Sequence, residues 1–442
     1  MRLHYLFHVL VSLCAQTVFS IEIVNIERVE YHFPKLVRII EGLKGRAPDL
    51  LESSLDLETA IANTKIAASE RGMQFGVNIS GQSIYEDRPN QDYNQRYRAF
   101  SSVYFRKAIF NWGELQAQED ISQINKDQAR SELISLERSV IGQVRSLFLN
   151  LVVLSFREKL AREGSKLADQ NLKDLKQREK VGFNSTIEVE EAEAVFLNRK
   201  IDLEEIKFLL SKEESLLRSI SGYREVLSFS PQSNFIKFCL EHKFPQHFPV
   251  FLASGTSSAM DNISGLIEKE KKRIIIAESK LKPKFNLAGT FYQDQIDSLS
   301  SKNNVDRNNF VFGLEANWPL WDSGKSKAEK SAAIARKRNL ESKLERASRA
   351  QKNLVEELRQ ELESLKERIL LSRKLLNVAN NRFEKANILF QQNRLSSTDL
   401  FSAQLALDQA KLGNISAVCR YLQTLDQYEQ SFGVFSQSSN NE

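Results

Sequence analysis

The sequence predicts a mixed α and β chain made of two copies of one structural unit, in which a β-hairpin precedes a long helical hairpin. Residues 99–222 recur at 310–433 with a constant offset of 211 positions. Each copy has an alternating apolar and polar stretch, followed by apolar residues every three or four positions. The chain has only 17 glycines and 8 prolines in 442 residues, so turns are few and the helices must be long.

The duplication is recognised from a few residues at equal spacing in the two copies rather than from overall sequence identity. Gly182 lies 69 positions after Gly113, and Asn393 lies 69 positions after Gly324. The next pairs of landmarks are Glu188 with Asp399 and Gly222 with Gly433, again at equal spacing. Equal lengths without similar sequence indicate two rods that end at the same height, as in a pseudo-symmetric tube or bundle.

Residues 1–20 have the pattern of a secretory signal peptide, with Arg2, an apolar stretch at 6–13 and small residues before position 21. We therefore expect export. Cys14 would be acylated in a lipoprotein, but Leu13 stands where a small residue should precede it, and the sequence leaves lipidation at Cys14 open. Cys239 and Cys419 are far apart and are expected to be unpaired thiols.

Composition excludes several classes of protein. With 27% charged residues and no internal stretch of about 20 apolar residues, a polytopic helical membrane protein is excluded. The net charge of +5 is spread along the chain, so no nucleic-acid partner is expected. His32, His242 and His247 lack metal-ligand spacing, and there is no glycine-rich phosphate loop. We expect no enzyme, cofactor or metal.

The first repeat is predicted at 54–223. Residues 21–52 show no period and are expected to be an extended lead-in, after which Ser54 would cap a short helix over 54–71. Strict alternation from Phe75 predicts a strand, a polar loop follows at 82–94, and a second strand returns through Phe105. The helix over 113–181 is about 100 Å long at 1.5 Å per residue, twice the length of its return arm.

An equatorial linker at 224–259 is expected to be a non-helical belt, and the second repeat follows at 260–433. A short helix over 260–282 and its counterpart in the first repeat would stack on the return arms. A strand opens at Pro283, a polar loop occupies 294–309, and a second strand returns before the helix over 324–392. One face of this hairpin is apolar: Phe285, Leu287, Phe291, Phe310, Phe312, Leu314 and Trp318.

Such an alternating hairpin suits a soluble, half-buried sheet or a membrane sheet. The membrane interpretation is favoured because the sequence downstream is long helix and offers no partner to cover the apolar face. In that case the apolar face meets lipid, while Glu315 and Asn317 on the other face meet a wet lumen.

Junctions and turns also repeat. Gly113 and Gly324 lie where strand gives way to helix, and Asn111 and Asp322 are expected to cap the helices. Left-handed residues are expected to end the long helices at Gly182 and Asn393. The predicted caps and first-turn acids of the return helices are Ser185/Thr186 with Glu188, and Ser397/Thr398 with Asp399. From the residues alone, Asp399 is an ordinary first-turn acid.

Two of these motifs, each present twice, resemble those of TolC-like outer-membrane efflux proteins over residues 54–433. The junctions Ala108-Ile-Phe-Asn-Trp-Gly113 and Trp318-Pro-Leu-Trp-Asp-Ser-Gly324 are similar to the family's apolar-Pro-Leu-aromatic-Asp/Asn-x-Gly signature. The segments 181–189 and 393–404 are similar to its helix-turn signature.

The resemblance implies a homotrimer in which four strands per copy form an outer-membrane β-barrel and the helices form a periplasmic α-barrel. Its function would be passive export with a periplasmic adaptor and an inner-membrane transporter as partners. The turns would be the channel tip, where Asp399 forms an acidic gate. Ser402 stands where relatives have a second Asp. Leu395 stands where some relatives have a basic residue that latches neighbouring tips, and the adjacent Arg394 is a possible substitute for it. The alternative is a periplasmic adaptor or coiled-coil scaffold.

Overall fold

The computed structural model describes residues 29–88, 91–224, 233–241, 258–298, 305–392 and 394–431. The same order of elements occurs twice. In order, they are a 3₁₀ turn Val29–His32, α1 Pro34–Arg46, α2 Pro48–Ser69, β1 Met73–Arg88, β2 Gln91–Phe110, α3 Glu114–Lys180, α4 Thr186–Ser221, α5 Ser233–Glu241, α6 Ser258–Ser279, β3 Lys284–Ser298, β4 Val305–Asn317, α7 Lys325–Gln391 and α8 Ser397–Ser431.

The long helices agree closely with the predicted arms. Helices α3 and α7 have 67 residues each, and both begin directly after a glycine. The return helices α4 and α8 have 36 and 35 residues. At 1.5 Å per residue, the long helices extend about 100 Å from the sheet and the return helices cover about half of that length.

The four strands form one antiparallel sheet in the order β1-β2-β3-β4. Strands of the two hairpins therefore meet at the centre, where β2 pairs with β3. Strands β1 and β4 are the edges, and each has one unpaired side within the described part of this chain. Unpaired strand edges are a template for further pairing.

Both hairpins are longer than the sequence predicted. The polar loops expected at 82–94 and 294–309 are largely strand: β1 continues to Arg88, β2 begins at Gln91, β3 continues to Ser298 and β4 begins at Val305. Polar composition marked the ends of the apolar face, but backbone pairing continues beyond it, because ladder hydrogen bonds do not require apolar side chains.

The N-terminal segment also differs from the prediction. Instead of an extended lead-in over 21–52, residues from Val29 onward form the 3₁₀ turn, α1 and the first part of α2. Pro34 and Pro48 occupy the first positions of two helices, where their missing N–H is not needed. Ser54 is inside α2 and donates to the carbonyl of Leu51 at 2.7 Å, so it is not a cap.

The predicted belt is partly helical, because α5 occupies Ser233–Glu241 within the linker; the rest of 225–257 lies outside the described residues. Helix α5 packs into the main hydrophobic core with α1, α3, α7 and α8. We call this cluster the belt core; its most deeply buried members include Leu36, Ile39, Val144, Leu151, Phe235, Leu362, Ile369, Ile415 and Tyr421.

Next to the apolar residues of the belt core lie a set of ion pairs and two buried cysteines. Arg145 of α3 pairs with Asp426 of α8 at 2.6 Å and with Glu30. Cys239 and Cys419 are both buried as free thiols, and burial raises the pKa of Cys239 to about 12. The expectation of unpaired thiols agrees with this arrangement.

One stretch of α3 is more apolar than the composition of the chain led us to expect. Helix α3 contains an 18-residue window that is apolar enough to cross a membrane, whereas the sequence analysis expected no such stretch. Half of this window is buried inside the protein. Val140, Val144 and Phe148 of α3 lie in the belt core. The stretch is apolar because it packs against other helices from more than one side.

The short helices cover the part of the long helices nearest the sheet. Helix α2 lies along α3, with Thr64 donating to the carbonyl of Ser122 at 3.3 Å, and α6 packs against both α3 and α7. Helix α2 also begins where α4 ends, because Gly222 lies directly against the carbonyl of Arg46. In the first repeat, the short helix thus prolongs the return arm as predicted.

Gly222→Ala is expected to destabilise the protein more than Gly324→Ala. Both glycines have positive φ, +66° and +84°, which costs a non-glycine residue about 1–3 kcal/mol. At Gly222 a Cβ would also lie 2.2 Å from the Arg46 backbone oxygen, whereas nothing lies within 4 Å at Gly324. Thermal melting of the helical circular dichroism in detergent would measure both variants, and equal melting temperatures would contradict the tight contact.

Candidate functional site

The sheet has two chemically different faces, and the strand register fixes which residue lies on each. Phe291 pairs with Phe310, Leu287 with Leu314, and Gly289 with Phe312. Directly opposed residues point to the same side of a sheet, so these side chains share one face. Between them along the strands, Thr290 pairs with Val311, and Asn286 with Glu315, on the opposite face.

Six of the seven residues predicted to face lipid therefore lie together on one apolar face. All but Leu287 are exposed in this chain, as expected of a surface that no part of the described chain covers. Trp318, the seventh, follows the end of β4, and its indole N–H donates to the carbonyl of Leu281 at 3.1 Å. It lies at the border between sheet and helices.

The first hairpin extends the apolar face, although the sequence prediction of lipid-facing residues was confined to the second. Phe75 pairs with Phe105, and Val77 with Val103, while Phe105 in turn pairs with Gly289. Phe105 leans over Gly289 toward Phe312, with ring centroids 5.9 Å apart. The alternation of Phe75, Val77 and Ile79 was the signal available in the sequence.

The opposite face is polar and crossed by ion pairs. Arg98 of β2 binds Asp294 of β3 through two hydrogen bonds of 2.7 and 2.9 Å. Arg106 reaches across β3 to Glu315 of β4 at 3.1 Å, passing over the small side chain of Ala288. Glu315 thus lies on the polar face, as predicted. Paired charges of both signs make this face suitable for contact with water.

The two strand-to-helix junctions have the same backbone geometry. Trp112 and Gly113 have φ of 56° and 80°, and Ser323 and Gly324 have φ of 56° and 84°. Asp322 caps α7 as predicted: its carboxylate accepts from the N–H of Ser326 at 2.8 Å, and bonds from Ser326 lower the pKa of Asp322. At the first junction, by contrast, no side chain caps α3, so the prediction that Asn111 is the cap was wrong; its backbone carbonyl accepts from the N–H of Glu114 at 3.1 Å.

The first helix turn, between α3 and α4, is closed by backbone and side-chain bonds. Gly182 has φ of +79°, and the N–H of Phe183 donates to the carbonyl of Arg178 at 2.9 Å, which is a common helix-ending arrangement. Ser185 and Glu188 then form a reciprocal capping box at the start of α4. Hydrogen bonds from Asn184 and from the Ser185 backbone lower the pKa of Glu188.

The second turn repeats the first at an offset of 211 positions. The N–H of Arg394 donates to the carbonyl of Leu389 at 2.9 Å, as Phe183 does to Arg178. Ser396, the counterpart of Ser185, caps the start of α8, whereas the side chains of the predicted caps Ser397 and Thr398 lie outside what the structure describes. Its hydroxyl accepts from the N–H of Asp399 at 3.1 Å and donates to the Asp399 carboxylate at 2.6 Å.

The remaining predicted tip residues lie around these caps. Arg394 and Ser402 are exposed, and the Ser402 hydroxyl donates to the Asp399 carbonyl at 2.8 Å. Asn393 lies outside the described residues. Within one copy, Asp399 therefore acts as a helix-capping acid, and a gate would require the same residue from other copies.

The six described ranges contain no group of three or more His, Cys, Asp or Glu side chains placed to hold a metal ion. The functional surfaces are instead the two faces of the sheet and the two helix turns.

Comparison with known proteins relates these surfaces to a family. The family model described as outer membrane efflux protein matches residues 39–222 and 266–434. No curated protein sequence matches the chain.

Solved structures of similar fold include outer-membrane channels. The outer membrane protein VceC from Vibrio cholerae is 14% identical, with 92% of this chain and 98% of that chain covered and a TM-score of 0.70. The CmeC outer membrane channel of Campylobacter jejuni is 14% identical, with coverage of 90% and 85% and a TM-score of 0.72. The open state of the Neisseria gonorrhoeae MtrE outer membrane channel is 15% identical, with coverage of 90% and 89% and a TM-score of 0.65.

Proposed function

The chain belongs to the outer membrane efflux protein family, and from this premise we propose that three copies assemble into a passive channel-tunnel through the outer membrane and into the periplasm. Each copy would contribute its four strands to one β-barrel and its long helices to one α-helical tube. An inner-membrane transporter would supply the energy and a periplasmic adaptor would connect the two. The cargo is a small molecule or a secreted polypeptide.

The observation that carries this proposal is the two-faced sheet with two open edges. A sheet in lipid must satisfy all its backbone hydrogen bonds, so β1 and β4 need partners from other copies. Head-to-tail pairing of β4 with β1 of the next copy closes a ring, and the apolar face then turns outward to lipid. The polar face, with Arg98, Asp294, Arg106 and Glu315, lines the lumen.

The helices support the periplasmic part of the proposal. The turns at Gly182 and Asp399 end helices that extend about 100 Å from the sheet, far beyond the thickness of one bilayer. Such a tube can reach an adaptor held at the inner membrane. A periplasmic adaptor or coiled-coil scaffold, the alternative from the sequence, gives no account of an apolar sheet face of this width.

Membrane fractionation followed by an unheated detergent gel tests the proposal. We expect the mature protein in the outer-membrane fraction and a band at three times the monomer mass that collapses to monomer on boiling. A soluble periplasmic protein, or a monomer before heating, would overturn the channel-tunnel.

Asp399→Ala is expected to raise leakage through the resting channel and to weaken block by multivalent cations. Three Asp399 carboxylates around a narrow pore would attract divalent cations at its entrance. Asp399→Asn separates this charge effect from capping, because the amide retains an acceptor for the Ser396 hydroxyl. Glu188→Ala removes the corresponding acid of the other turn and is expected to have a smaller effect. Single-channel recording that shows unchanged cation block in Asp399→Asn would leave Asp399 with its capping role only.

A further inference from the structure

The apolar face of the sheet carries a lysine close to its helical end. Lys107 of β2 lies opposite Met73 of β1 and Leu287 of β3, so its side chain is on the same side as theirs. It is exposed, and it lies three residues before the end of β2 at Phe110, about 10 Å along the strand. A charge is costly at the middle of a bilayer and cheap near its border, so the flexible lysine stem is expected to turn the ammonium group toward that end.

A second lysine lies at this border, over an aromatic ring. The rings of Phe110 and Trp112 meet edge to face with their centroids 4.9 Å apart. Because Phe110 lies opposite Phe285 of the apolar face, Trp112 continues that face beyond the strands. The Lys282 ammonium nitrogen lies 4.8 Å from the centre of the Trp112 ring, a distance at which the ring attracts a cation. We call Lys107 and Lys282 the border lysines.

The border lysines differ from their neighbours in having no acidic partner. Lys284, beside them in sequence and space, binds Glu114 at 2.5 Å. Glu278 lies close enough to Lys282 to feel its charge, but its carboxylate binds Lys330 at 2.7 Å. Neither border lysine forms an ion pair within the described part of the chain. Two positive charges are therefore available to an anion from outside the chain.

The border lysines also stay accessible in the proposed trimer. Lys107 is on β2 and Lys282 lies two residues before β3, and these are the two central strands of the sheet. Neighbouring copies would pair with the edge strands β1 and β4 and would leave the centre open. In that trimer the helical end of the sheet faces the periplasm, so the lipid at this border belongs to the phospholipid leaflet.

We propose that Lys107, Lys282 and Trp112 bind the headgroup phosphate of an anionic phospholipid of the periplasmic leaflet, at one site on the outward side of each copy. This inference rests on the proposed channel and adds a lipid ligand to it. The two ammonium groups attract the phosphate, and the acyl chains lie along the apolar face of the sheet. Each lysine near a membrane surface favours an anionic lipid about fivefold, so a zwitterionic headgroup binds less well.

Quenching of Trp112 fluorescence tests the site. The chain has three tryptophans, and Trp318→Phe/Trp321→Phe leaves only Trp112. This variant is reconstituted in phosphatidylcholine vesicles that contain increasing fractions of brominated phosphatidylglycerol or of brominated phosphatidylcholine. We expect phosphatidylglycerol to quench Trp112 at a several-fold lower fraction. Equal quenching by both lipids would overturn the site, and no quenching by either would overturn the lipid-facing sheet and the channel proposal with it.

Neutral variants of the border lysines show whether these residues cause the preference. Lys107→Gln and Lys282→Gln are each expected to reduce the preference for phosphatidylglycerol about fivefold, and the double variant is expected to abolish it. Lys352→Gln is the matched control, because Lys352 is also exposed but lies 27 residues after the start of α7, about 40 Å away from the sheet. A preference that survives the double variant would contradict the proposed site.

A second measurement keeps all three tryptophans. The temperature at which the detergent-solubilised trimer dissociates is expected to rise more with added phosphatidylglycerol than with phosphatidylcholine. In Lys107→Gln/Lys282→Gln the two lipids are expected to act alike. An unchanged difference between the lipids in this variant would overturn the site and leave the channel proposal intact. Absence of a trimer in the unaltered protein would instead overturn the channel proposal itself.

Discussion

Phe312→Arg is expected to block assembly of the channel in the outer membrane, whereas Val311→Arg is tolerated. The two residues are neighbours on β4 and are equally exposed in one copy, at 59% for Phe312 and 57% for Val311. They differ in the face they occupy, since Phe312 lies opposite Gly289 on the apolar face and Val311 opposite Thr290 on the polar face. An arginine facing lipid at the middle of a bilayer costs about 2–4 kcal/mol, and a trimer would carry three.

The measurement is the amount of heat-dissociable trimer in purified outer membranes. Phe312→Leu is the matched control, because it removes the ring contact with Phe105 but remains apolar, and it is expected to assemble. If Phe312→Arg and Val311→Arg assemble equally well, the apolar face is not turned to lipid. If Val311→Arg is the more harmful change, the two faces have been assigned the wrong way round.

Lengthening only the first helical hairpin by one heptad is expected to abolish export. Seven residues added to α3 and seven to α4 move the turn at Gly182 about 10 Å beyond its counterpart. The insertions belong on the sheet side of the ion pair between Lys176 and Glu193, which joins the two arms at one level at 3.2 Å. The heptad repeat keeps every apolar stripe in phase, so the hairpin itself is expected to fold.

The control lengthens both hairpins, with equal insertions in α7 and α8, so that all turns end at one level again. Survival of cells that lack their own channel, grown with an exported toxic compound, measures export. We expect the single lengthening to fail and the double lengthening to recover a substantial part of the activity. Full activity of the single lengthening would show that the matched spans of 69 positions have no role.

Much of this architecture could be predicted because it rests on long periodic patterns. The helices over 113–181 and 324–392 contain many turns of one repeating stripe, and the alternation from Phe285 to Trp318 fixes the faces of a hairpin. Gly113 and Gly324 were expected at special backbone positions, and their φ values are 80° and 84°. These features are local, so they need no knowledge of the rest of the fold.

The missed elements depend on context. Residues 21–52 show no period and were expected to be extended, yet Pro34 and Pro48 each begin a helix there, and apolar residues such as Leu36 are buried by distant segments. Helix α5 has only nine residues and is stabilised by the belt core rather than by its own propensity. Whether short helices of this kind form depends on tertiary packing rather than on local sequence.

The cap of α8 was missed for a different reason. Ser396, Ser397 and Thr398 are consecutive, and all three types are good caps. Only the backbone conformation selects among them. The offset of 211 positions from Ser185 points to Ser396, so the signal was present in the duplication.

The belt core also constrains when this protein can fold. It joins Glu30 to Asp426 through Arg145, although the two acids are 396 positions apart in sequence. In a chain secreted from its N-terminus, Glu30 and Arg145 emerge early, but Arg145 meets Asp426 of α8 only after nearly the whole polypeptide has crossed the inner membrane. Contacts of such long range form slowly, and the waiting intermediate exposes apolar surface. We therefore expect a product truncated before Ile415, which lacks the α8 side of the belt core, to be degraded rather than assembled.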